Sequence, residues 1–370
     1  MMLSLGFVGD FLYPFEEYNE EKDNKELFRK VDLCIGNLES PIIFKNKEYR
    51  ESRKLVKLFS LNGIEGFVRN HNIKAVSLAN NHIFDFGIEG FKDTIHYLDK
   101  IGVKYFGAGM NLEEAIKPYI LNIKDISIGL LSFGWDLIQC HKASNKTPGV
   151  APIDKDLILQ QIKVLRKKVD ILIVFLHWGY ELEIYPLPVH RKLARILIEN
   201  GVDFVIGSHP HIIQGFEKYK DSYIFYSLGN FFFPNILYDD KILPYFNKIG
   251  RMNLLKDGLC VVVHIDNIVR KEYRLEYFQV RNNDGLSSKY PRVIIPSKFF
   301  GDYICSLNEP LSLEDNAYRI FFYQNRLQRK GLPVFTEDFW DRFKYFQFKG
   351  RELLISLRNC LLKDVGGDDP

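Results

Sequence analysis

The sequence lacks the features that mark secreted, membrane-spanning and nucleic-acid-binding proteins. Its five cysteines are scattered and show no metal-type spacing, so a disulfide framework is not expected and a reducing compartment fits best. No apolar run reaches the roughly 18 residues that a membrane span needs. Residues 1–9 carry neither a basic segment nor a signal-peptide cleavage site. We therefore expect a cytoplasmic protein, either free or peripheral at the inner face of the membrane.

Low net charge and missing motifs narrow the function further. The formal net charge is only +3 over 370 residues, which gives no support to nucleic acid as a partner. The sequence has no G-x-S-x-G elbow and no cysteine in a reactive setting, so a serine or cysteine nucleophile is not expected. It also has no P-loop, so an ATP-driven ligase would need another subunit to supply nucleotide.

Strand and helix patterns alternate over the first ~280 residues, which predicts an α/β fold. Five short runs rich in Val, Ile and Leu suit strands that are buried on both faces: Leu3–Gly9, Leu33–Gly36, Ala75–Ala79, Ile171–Leu176 and Phe204–Gly207. Helical patterns lie between them at Phe91–Ile101, Leu157–Val169 and Leu193–Asn200. Three predicted strands are entered by the same dipeptide, which we interpret as repeated helix-to-strand turn chemistry: Val31-Asp32, Val169-Asp170 and Val202-Asp203.

The character of the chain changes after residue 284, so we predict a main domain at residues 1–284 and an extension at residues 285–370. The main domain should finish with strands at Tyr223–Leu228, Leu259–Ile265 and Val269–Val280 and with a hairpin turn at Asp266-Asn267. The extension is aromatic, with predicted helices at Tyr318–Arg329 and Phe339–Lys363 and a disordered tail. The second helix suits either packing within the protein or with a partner, or a membrane interface.

Metal-competent side chains follow all five buried runs, at the point where each predicted strand ends: Asp10, then Glu39, then Asn80, Asn81, His82 and Asp85, then His177, then His209 and His211. Ligands of an open α/β sheet bind outside the carboxyl ends of its strands, so these groups should converge. Oxygen and imidazole donors without thiolate suit Mn²⁺, Fe, Zn²⁺ or Mg²⁺. Two divalent ions about 3.5–4 Å apart could share a bridging carboxylate. His82, beside the expected ligand Asn81, is then free to act as a general acid.

Each of these residues also has an ordinary structural interpretation. Asp10 could belong to a turn, Glu39 could be a surface carboxylate, and His177 could be a satisfied core histidine. Asn80 and Asn81 could cap a loop with local hydrogen bonds. Because these interpretations would have to hold at five strand ends together, the pattern favours a two-metal site.

These residues lie in motifs that, taken together, resemble the CapA family of poly-γ-glutamate capsule synthesis proteins. The resembling stretches run in family order: Gly9-Asp10, Asn37–Pro41, Ser77–Gly87, Gly107–Asn111, His177–Glu181, Ile206–His211 and Tyr226–Phe231. The resemblance implies a calcineurin-like metallophosphoesterase fold, an αββα sandwich with mixed sheets. It also implies a phosphorylated or polymer-related substrate and membrane-bound capsule synthesis proteins as partners.

The resemblance further implies a role for each matching residue. Asp10 and His211 would hold one metal ion, Asn81, His177 and His209 would hold the other, and Glu39 would bridge the two. His82 would act near the leaving group, while Asp85 and Glu181 would orient imidazoles or loops. Asn80 and Asn230 would contact the substrate, although Asn230 could equally cap a strand end.

Two positions depart from the pattern. Phosphoesterases of this superfamily commonly carry a histidine where this chain has Leu12, so the first metal site should be weak or rich in water. His190 stands where the family tends to show glutamine. It could join the site, but we expect it on a helix surface.

Three functions follow as hypotheses. The first is a metal-dependent hydrolase in the biosynthesis of a capsule or other surface polymer, such as poly-γ-glutamate or a polysaccharide. The second is a non-catalytic scaffold or export partner with a degenerate metal site, favoured by Leu12 and the aromatic C-terminal segment. The third is an enzyme that acts on amide bonds, because a metal-activated hydroxide attacks carbonyl groups as well as phosphorus.

Overall fold

A computed structural model describes residues 3–19, 27–54, 56–234, 237–238, 241–242, 256–282, 292–294 and 298–330. The strands are β1 Leu3–Phe11, β2 Leu33–Leu38, β3 Ile73–Ser77, β4 Lys104–Phe106, β5 Ala108–Gly109, β6 Tyr119–Ile123, β7 Ile126–Gly134, β8 Gly149–Val150, β9 Ile171–His177, β10 Phe204–Ser208, β11 Ile213–Tyr219, β12 Ser222–Leu228, β13 Asn230–Phe232, β14 Leu237–Tyr238, β15 Lys241–Ile242, β16 Asp257–Asn267, β17 Glu272–Arg281 and β18 Arg292–Ile294.

The helices are α1 Ile64–Asn70, α2 Gly87–Ile101, α3 Leu112–Ala115, α4 Lys155–Leu165, α5 Pro188–Glu199, α6 Lys298–Asn308 and α7 Asp315–Lys330. Single turns of 3₁₀-helix occur at Phe28–Lys30, Asp136–Ile138, Arg166–Lys168 and Glu309–Ser312. The chain divides into two compact units, residues 1–318 and residues 319–370. The predicted division after residue 284 stays a prediction. The predicted helix at Phe339–Lys363 and the predicted disordered tail lie outside the described residues.

Two mixed sheets form the centre of the first unit. One has the order β18-β17-β16-β1-β2-β3-β4, with β13 paired to β1 beside this path. The other has the order β11-β12-β10-β9-β7-β6. In the first sheet β1, β2, β3 and β4 are parallel, and antiparallel strands β16, β17 and β18 continue from β1. In the second sheet a parallel centre of β12, β10, β9 and β7 is flanked by antiparallel β11 and β6. The five strands predicted to carry the site therefore belong to two sheets, with β1, β2 and β3 in one and β9 and β10 in the other.

The sheets face each other across an apolar layer. Phe7 of β1 contacts Phe175 of β9 and Phe204 of β10, with ring centroids 6.3 Å and 5.9 Å apart. Helices α1 and α2 pack on the outer face of the first sheet, in a core shared with Val8 and Val76. Helices α4 and α5 cover the second sheet, where α5 contacts β10 and β12. The layers are helix, sheet, sheet and helix, which confirms the predicted αββα sandwich with mixed sheets and a helical C-terminal segment.

The three aspartates that enter strands share one hydrogen-bonding arrangement. Each backbone N–H donates to a carbonyl at the start of a neighbouring strand, and each carboxylate accepts an N–H from that strand. Asp203 donates to Leu172 O at 2.8 Å and accepts from Leu172 N at 2.8 Å. Asp32 pairs with Ser4, and Asp170 with Ser127, in the same manner. The aspartate therefore satisfies backbone groups that the end of a sheet would leave unpaired. This explains why the dipeptide Val-Asp recurs before three strands.

Asp203 should contribute most to stability among these three, because it is 1% exposed and also pairs with Arg166 at 2.6 Å and Lys271 at 2.8 Å. We expect Asp203→Ala to lower the free energy of unfolding by about 3 kcal/mol, because two cations and a buried N–H lose their acceptor. The exposed equivalent Asp170→Ala should cost about 1 kcal/mol. Urea unfolding of both variants measures the difference, and equal losses would contradict this ranking.

The antiparallel hairpin of β16 and β17 confirms the predicted pairing, but the predicted turn position was wrong. β16 continues through Asn267, and the turn occupies residues 268–271. Asn267 pairs with Glu272 after an irregularity in the ladder, and its side chain accepts a hydrogen bond from Arg270 N at 3.0 Å. Asn267 thus caps the turn from the end of the strand.

Among the helices that the structure describes, none has the length and hydropathy of a transmembrane segment.

Candidate metal centre

The carboxyl ends of strands from both sheets meet at one place. Asp10 lies near the end of β1, opposite Asn37 of β2 and Asn230 of β13. The next group along the first sheet follows β3. In the second sheet His177 is the last residue of β9, and the turn at residues 209–211 follows β10. The structure brings together all six residues that the sequence suggested as metal ligands, namely Asp10, Glu39, Asn81, His177, His209 and His211.

Two groups of side chains are arranged so that each could hold one ion. Glu39, His177 and His209 form the first group, and Asp10, Glu39 and His211 form the second. Within each group the ligand atoms lie within 4.8 Å of one another, and all of these residues are buried. Glu39 belongs to both groups, which is the position that a bridging carboxylate needs.

Neighbouring side chains fix the orientation of two imidazoles. The Nδ1 atom of His177 lies 2.9 Å from Ser208 Oγ, and its Nε2 lies 2.8 Å from Asn81 Oδ1 and 3.5 Å from Glu39 Oε1. The Nδ1 atom of His211 lies 2.9 Å from Asn230 Oδ1, and its Nε2 lies 3.6 Å from Glu39 Oε1. Both rings therefore turn Nε2 toward Glu39, and anchoring of the other nitrogen is the usual arrangement for metal-ligating histidines.

Three buried atoms at this place have no hydrogen-bond partner: both carboxylate oxygens of Glu39 and Nδ1 of His209. Burying unpaired polar atoms costs free energy, and an unpaired charge costs most. A divalent cation would supply the missing partner to a carboxylate and an imidazole together. The residues present therefore fit a metal ion of the oxygen- and nitrogen-binding kind.

The electrostatics of these side chains agree with this interpretation. Burial, followed by the nearby Asp10 charge, raises the pKa of Glu39 well above its usual range. Burial also raises the pKa of Asp10, although His211 opposes the shift. Burial and neighbouring imidazoles hold the pKa values of His177 and His209 well below the ordinary value. The imidazoles are therefore neutral at physiological pH, which is the form that binds metals.

The segment after β3 carries a second cluster beside the first. The His82 Nδ1 atom lies 2.5 Å from Asp85 Oδ2, and the same carboxylate oxygen accepts a hydrogen bond from Leu58 N at 2.9 Å. The Lys54 ammonium lies 3.1 Å from Asp85 Oδ1 and also donates to the Asn81 carbonyl. Burial lowers the pKa of His82, and the Asp85 charge opposes this shift. Asp85 therefore holds the His82 ring, and a catalytic role for either residue stays a prediction.

The two residues expected to contact substrate are engaged within the protein. The Asn80 amide donates to Leu38 O at 2.7 Å, and its oxygen accepts from His82 N at 3.1 Å. Asn230 contacts the His211 ring as described above. Glu181 is exposed, and its charge contributes to the raised pKa of Glu39. These contacts give Asn80 and Asn230 a positioning role, and substrate contact by either stays a prediction.

Sequence reasoning missed three residues that support this site. Asn37 donates to Asp10 Oδ1 at 2.9 Å, Ser208 anchors His177, and Lys54 pairs with Asp85. Asn37 and Ser208 could have been found, because each lies at the end of a predicted strand beside an expected ligand. Lys54 lies in a loop between β2 and α1 that has no regular pattern, so the sequence carried no signal for it.

The expectation of a surface position for His190 was wrong. This residue is 4% exposed, and its ring contacts two tryptophans. It stacks on Trp178 with ring centroids 4.7 Å apart and 10° between the planes, and Trp135 approaches edge-on at 4.7 Å. Helix α5 turns this face inward onto the second sheet, which a short helical pattern with mixed residues does not reveal.

Burial lowers the pKa of His190 to about 3. Below about pH 6.5 the His190 imidazole binds a proton in the unfolded chain but stays neutral in the folded chain. The free energy of unfolding therefore falls as the pH falls from about 6.5 toward 3. Between about pH 8 and pH 5 this imidazole should cost the wild type about 2 kcal/mol of unfolding free energy, and His190→Phe should not show this part of the loss. Urea unfolding at both pH values checks the slope, and an unchanged slope would contradict burial of a neutral imidazole.

The turn that carries two of the histidines has a strained backbone. His209 has a φ of 95° and His211 a φ of 57°, both in the left-handed region. Such conformations cost of the order of 1–3 kcal/mol each in non-glycine residues and persist where the surroundings enforce them. The His209 N–H donates to Asp10 Oδ2 at 3.0 Å, which ties the turn to the first sheet.

Leu12 lies two residues after Asp10, at the position where related phosphoesterases carry a histidine. Its side chain is 1% exposed and packs against Leu58 and Phe233 in an apolar cluster. The group formed by Asp10, Glu39 and His211 therefore gains no donor from this position.

The fold and the site together describe the class of this protein. It is a layered α/β protein with a candidate two-metal site where the strand ends of two mixed sheets meet. Residues 9–235, more than half of the chain, match the family model described as Bacterial capsule synthesis protein PGA_cap. The chain belongs to this family, and the resemblance to CapA proteins is confirmed.

Two relatives illustrate the similarity. The chain is 33% identical over 242 residues to the PGA biosynthesis protein CapA of Bacillus subtilis (strain 168), covering 63% of each chain. It is 33% identical over 245 residues to the Capsule biosynthesis protein CapA of Bacillus anthracis, covering 62% of this chain and 60% of that one. The matched region thus spans less than two thirds of each relative.

Solved structures give weaker likenesses. A hypothetical protein from Thermus thermophilus superposes with a TM-score of 0.46 at 10% identity, covering 76% of this chain and all 100% of that one. A 5'-nucleotidase precursor from the same organism superposes with a TM-score of 0.44 at 16% identity. The superposition covers 84% of this chain and 59% of that one. At TM-scores below 0.5 these likenesses add nothing to the assignment.

Proposed function

We propose that this protein is a metal-dependent hydrolase that cleaves a phosphoester or related bond during the biosynthesis of a capsule or other surface polymer. The observation that carries the proposal is Glu39, a buried carboxylate whose two oxygens have no hydrogen-bond partner and which belongs to both donor groups. The polymer context comes from the family and from the names of the two CapA relatives.

The donor set suits two divalent ions, Mn²⁺, Fe, Zn²⁺ or Mg²⁺, held by the residues of the two groups together with Asn81. Such a pair supplies an activated water and charge stabilisation at a phosphoryl group. The chain's own residues would add proton transfer. Asp85 holds the Nδ1 side of His82 at 2.5 Å, so that when the ring is protonated its Nε2–H could pass to a leaving oxygen. Lys54 keeps the Asp85 charge compensated.

The substrate under this proposal is a phosphorylated or polymer-related molecule, and the partners are membrane-bound capsule synthesis proteins. We further propose that the protein works in the cytoplasm, with attachment at the inner face of the membrane where those partners lie. An amide-bond substrate fits the same donor set, because the chemistry that the ions supply also attacks carbonyl carbon.

A second candidate function is a non-catalytic scaffold or export partner with a degenerate metal site. The observation that favours it is the apolar packing of Leu12, which leaves the group at Asp10 and His211 with three side chains. Under this alternative the protein would support polymer synthesis through its surfaces alone.

A substrate screen separates these candidates. Purified protein is loaded with each of the four metals and tested on bis(p-nitrophenyl) phosphate, on phosphomonoesters and on γ-glutamyl peptides. The hydrolase proposal expects turnover that a double variant, Asp10→Ala with His177→Ala, loses by at least about 10³-fold. In cells, wild-type polymer output from the same double variant would overturn the proposal and favour the scaffold. Turnover of the peptides alone would assign the amide-bond chemistry.

A further inference from the structure

We propose that residues 309–318, here called the latch, hold the metal-ligating turn at residues 209–211 in place by fixing the loop at residues 179–187, here called the site loop. Arg191 and Tyr318 are the positioning residues. The latch lies outside residues 9–235, which match the family model. The meaning of the turn as a metal-binding element rests on the proposed function, whereas the contacts that carry the latch do not.

Arg191 of α5 connects the latch to the second sheet. Its side chain is 1% exposed, which is rare for arginine and requires good partners. Its guanidinium donates to the carbonyl oxygens of Leu311 at 2.9 Å and Leu313 at 2.6 Å and to Asp315 Oδ1 at 2.8 Å. It also lies over the Tyr318 ring, 4.6 Å from the centroid. The buried guanidinium thus donates to three latch residues and stacks on a fourth.

Tyr318 passes this restraint to the site loop. Its hydroxyl donates to the Pro186 carbonyl at 2.7 Å, in a buried contact near the end of the loop. Earlier in the same loop, the Leu182 N–H donates to the Pro210 carbonyl at 3.0 Å, and the Glu183 carbonyl accepts from Gln214 Nε2 at 2.8 Å. Pro210 lies between His209 and His211. The site loop therefore joins the latch to the residue that separates two of the proposed ligands.

The turn needs such a restraint because its backbone is strained on both sides of Pro210, as described above. Leu182 is in the left-handed region as well, with a φ of 61°. Two facing segments in costly conformations are joined by one backbone hydrogen bond, so neither is held by its own preference. The Asp10 carboxylate holds the His209 side of the turn, and the latch supplies the restraint on the loop that faces it.

A second route runs from the latch to the residue after His177. Arg195 donates to Asp315 Oδ1 at 3.1 Å and to Glu217 Oε2 at 2.9 Å. Glu217 Oε1 accepts from the Tyr226 hydroxyl at 2.6 Å, and the Tyr226 carbonyl accepts from Trp178 Nε1 at 2.9 Å. The latch is therefore connected to both segments of the second sheet that present imidazoles.

The test is a single-atom change in the full-length chain, Tyr318→Phe, with Tyr219→Phe as the matched control. Tyr219 also lies under an arginine and also donates through its hydroxyl, to Glu199 at 2.7 Å, but on the protein surface. We expect Tyr318→Phe to raise the hydrogen-exchange rate of the Leu182 amide about five-fold and to weaken Mn²⁺ binding at least about three-fold. Arg191→Met should do the same by about ten-fold or more.

Exchange is measured in the metal-free protein and Mn²⁺ affinity by titration calorimetry. If the wild type binds no Mn²⁺, the proposed function fails, while the Leu182 exchange rate still tests the latch. If Arg191→Met does not fold, Tyr318→Phe decides alone. Exchange and affinity in Tyr318→Phe that match both wild type and Tyr219→Phe would overturn the proposal. A fall in thermal stability without faster exchange at Leu182 would reduce the latch to general packing and also overturn it.

Discussion

Glu39→Gln should lose both metal ions, because Glu39 is the residue shared by the two donor groups. A neutral amide cannot bridge two cations as a carboxylate does. We expect bound Mn²⁺ to fall from about two ions per chain to near zero, and any phosphoesterase turnover to fall by at least about 10³-fold. Elemental analysis after gel filtration measures the first quantity. Asp203→Asn is the control, because it changes a buried carboxylate at the opposite end of β10.

The same variant should be more stable than wild type when metal is absent. The pKa of Glu39 is raised above its ordinary value of 4.5, mainly by burial. The folded metal-free protein therefore binds a proton more readily than the unfolded chain, and its stability falls as the pH rises above that value. Glu39→Gln removes this penalty, so the free energy of unfolding near neutral pH should rise by about 1–3 kcal/mol. Added Mn²⁺ should reverse the order, since it stabilises only the wild type. A metal-free variant less stable than wild type would contradict this account.

Gly9→Ala should damage fold and site together. A Cβ at this position would lie 1.9 Å from the Gly229 carbonyl oxygen, in the segment that joins β12 to β13. That oxygen also accepts the hydrogen bond from Asp10 N at 3.0 Å, so separation of the two segments displaces a proposed ligand. We expect a loss of about 3 kcal/mol or more in the free energy of unfolding and a clear loss of Mn²⁺ affinity.

Gly102→Ala provides the comparison for this prediction. Gly102 has a φ of 76° and no neighbouring atom within 4 Å of an added Cβ, so this variant reports backbone strain without a clash. It should cost about 1 kcal/mol and leave Mn²⁺ binding unchanged. Urea unfolding of both variants gives the comparison, and a Gly9→Ala variant as stable as Gly102→Ala would contradict the close approach of β1 and Gly229.

The sequence predicted the strand ends well because buried parallel strands read as continuous apolar runs that stop where the donors begin. Leu33–Gly36 and Phe204–Gly207 were each short by only one or two residues of β2 and β10. It could not predict which strands pair, because periodicity is the same in either sheet. The donors therefore appeared as one edge when they come from two sheets whose ends meet.

Residues that act across long distances in the chain also escaped prediction. Lys54 and Asp85 meet only because an irregular loop folds over the segment after β3. His190 is buried because Trp135 and Trp178 from two other segments enclose it. Arg191 gave no signal either, since an arginine within a helix normally faces solvent. In each case the tertiary partner decides the role, and it is more than ten residues away.

The central claim is that six side chains surround two cations. Anomalous diffraction from crystals soaked in Mn²⁺ tests it most directly. The account predicts two peaks about 3.5–4 Å apart, with Glu39 contacting both, Asp10 and His211 at one, and Asn81, His177 and His209 at the other. An absence of peaks at this place, or a peak that does not contact Glu39, would contradict it.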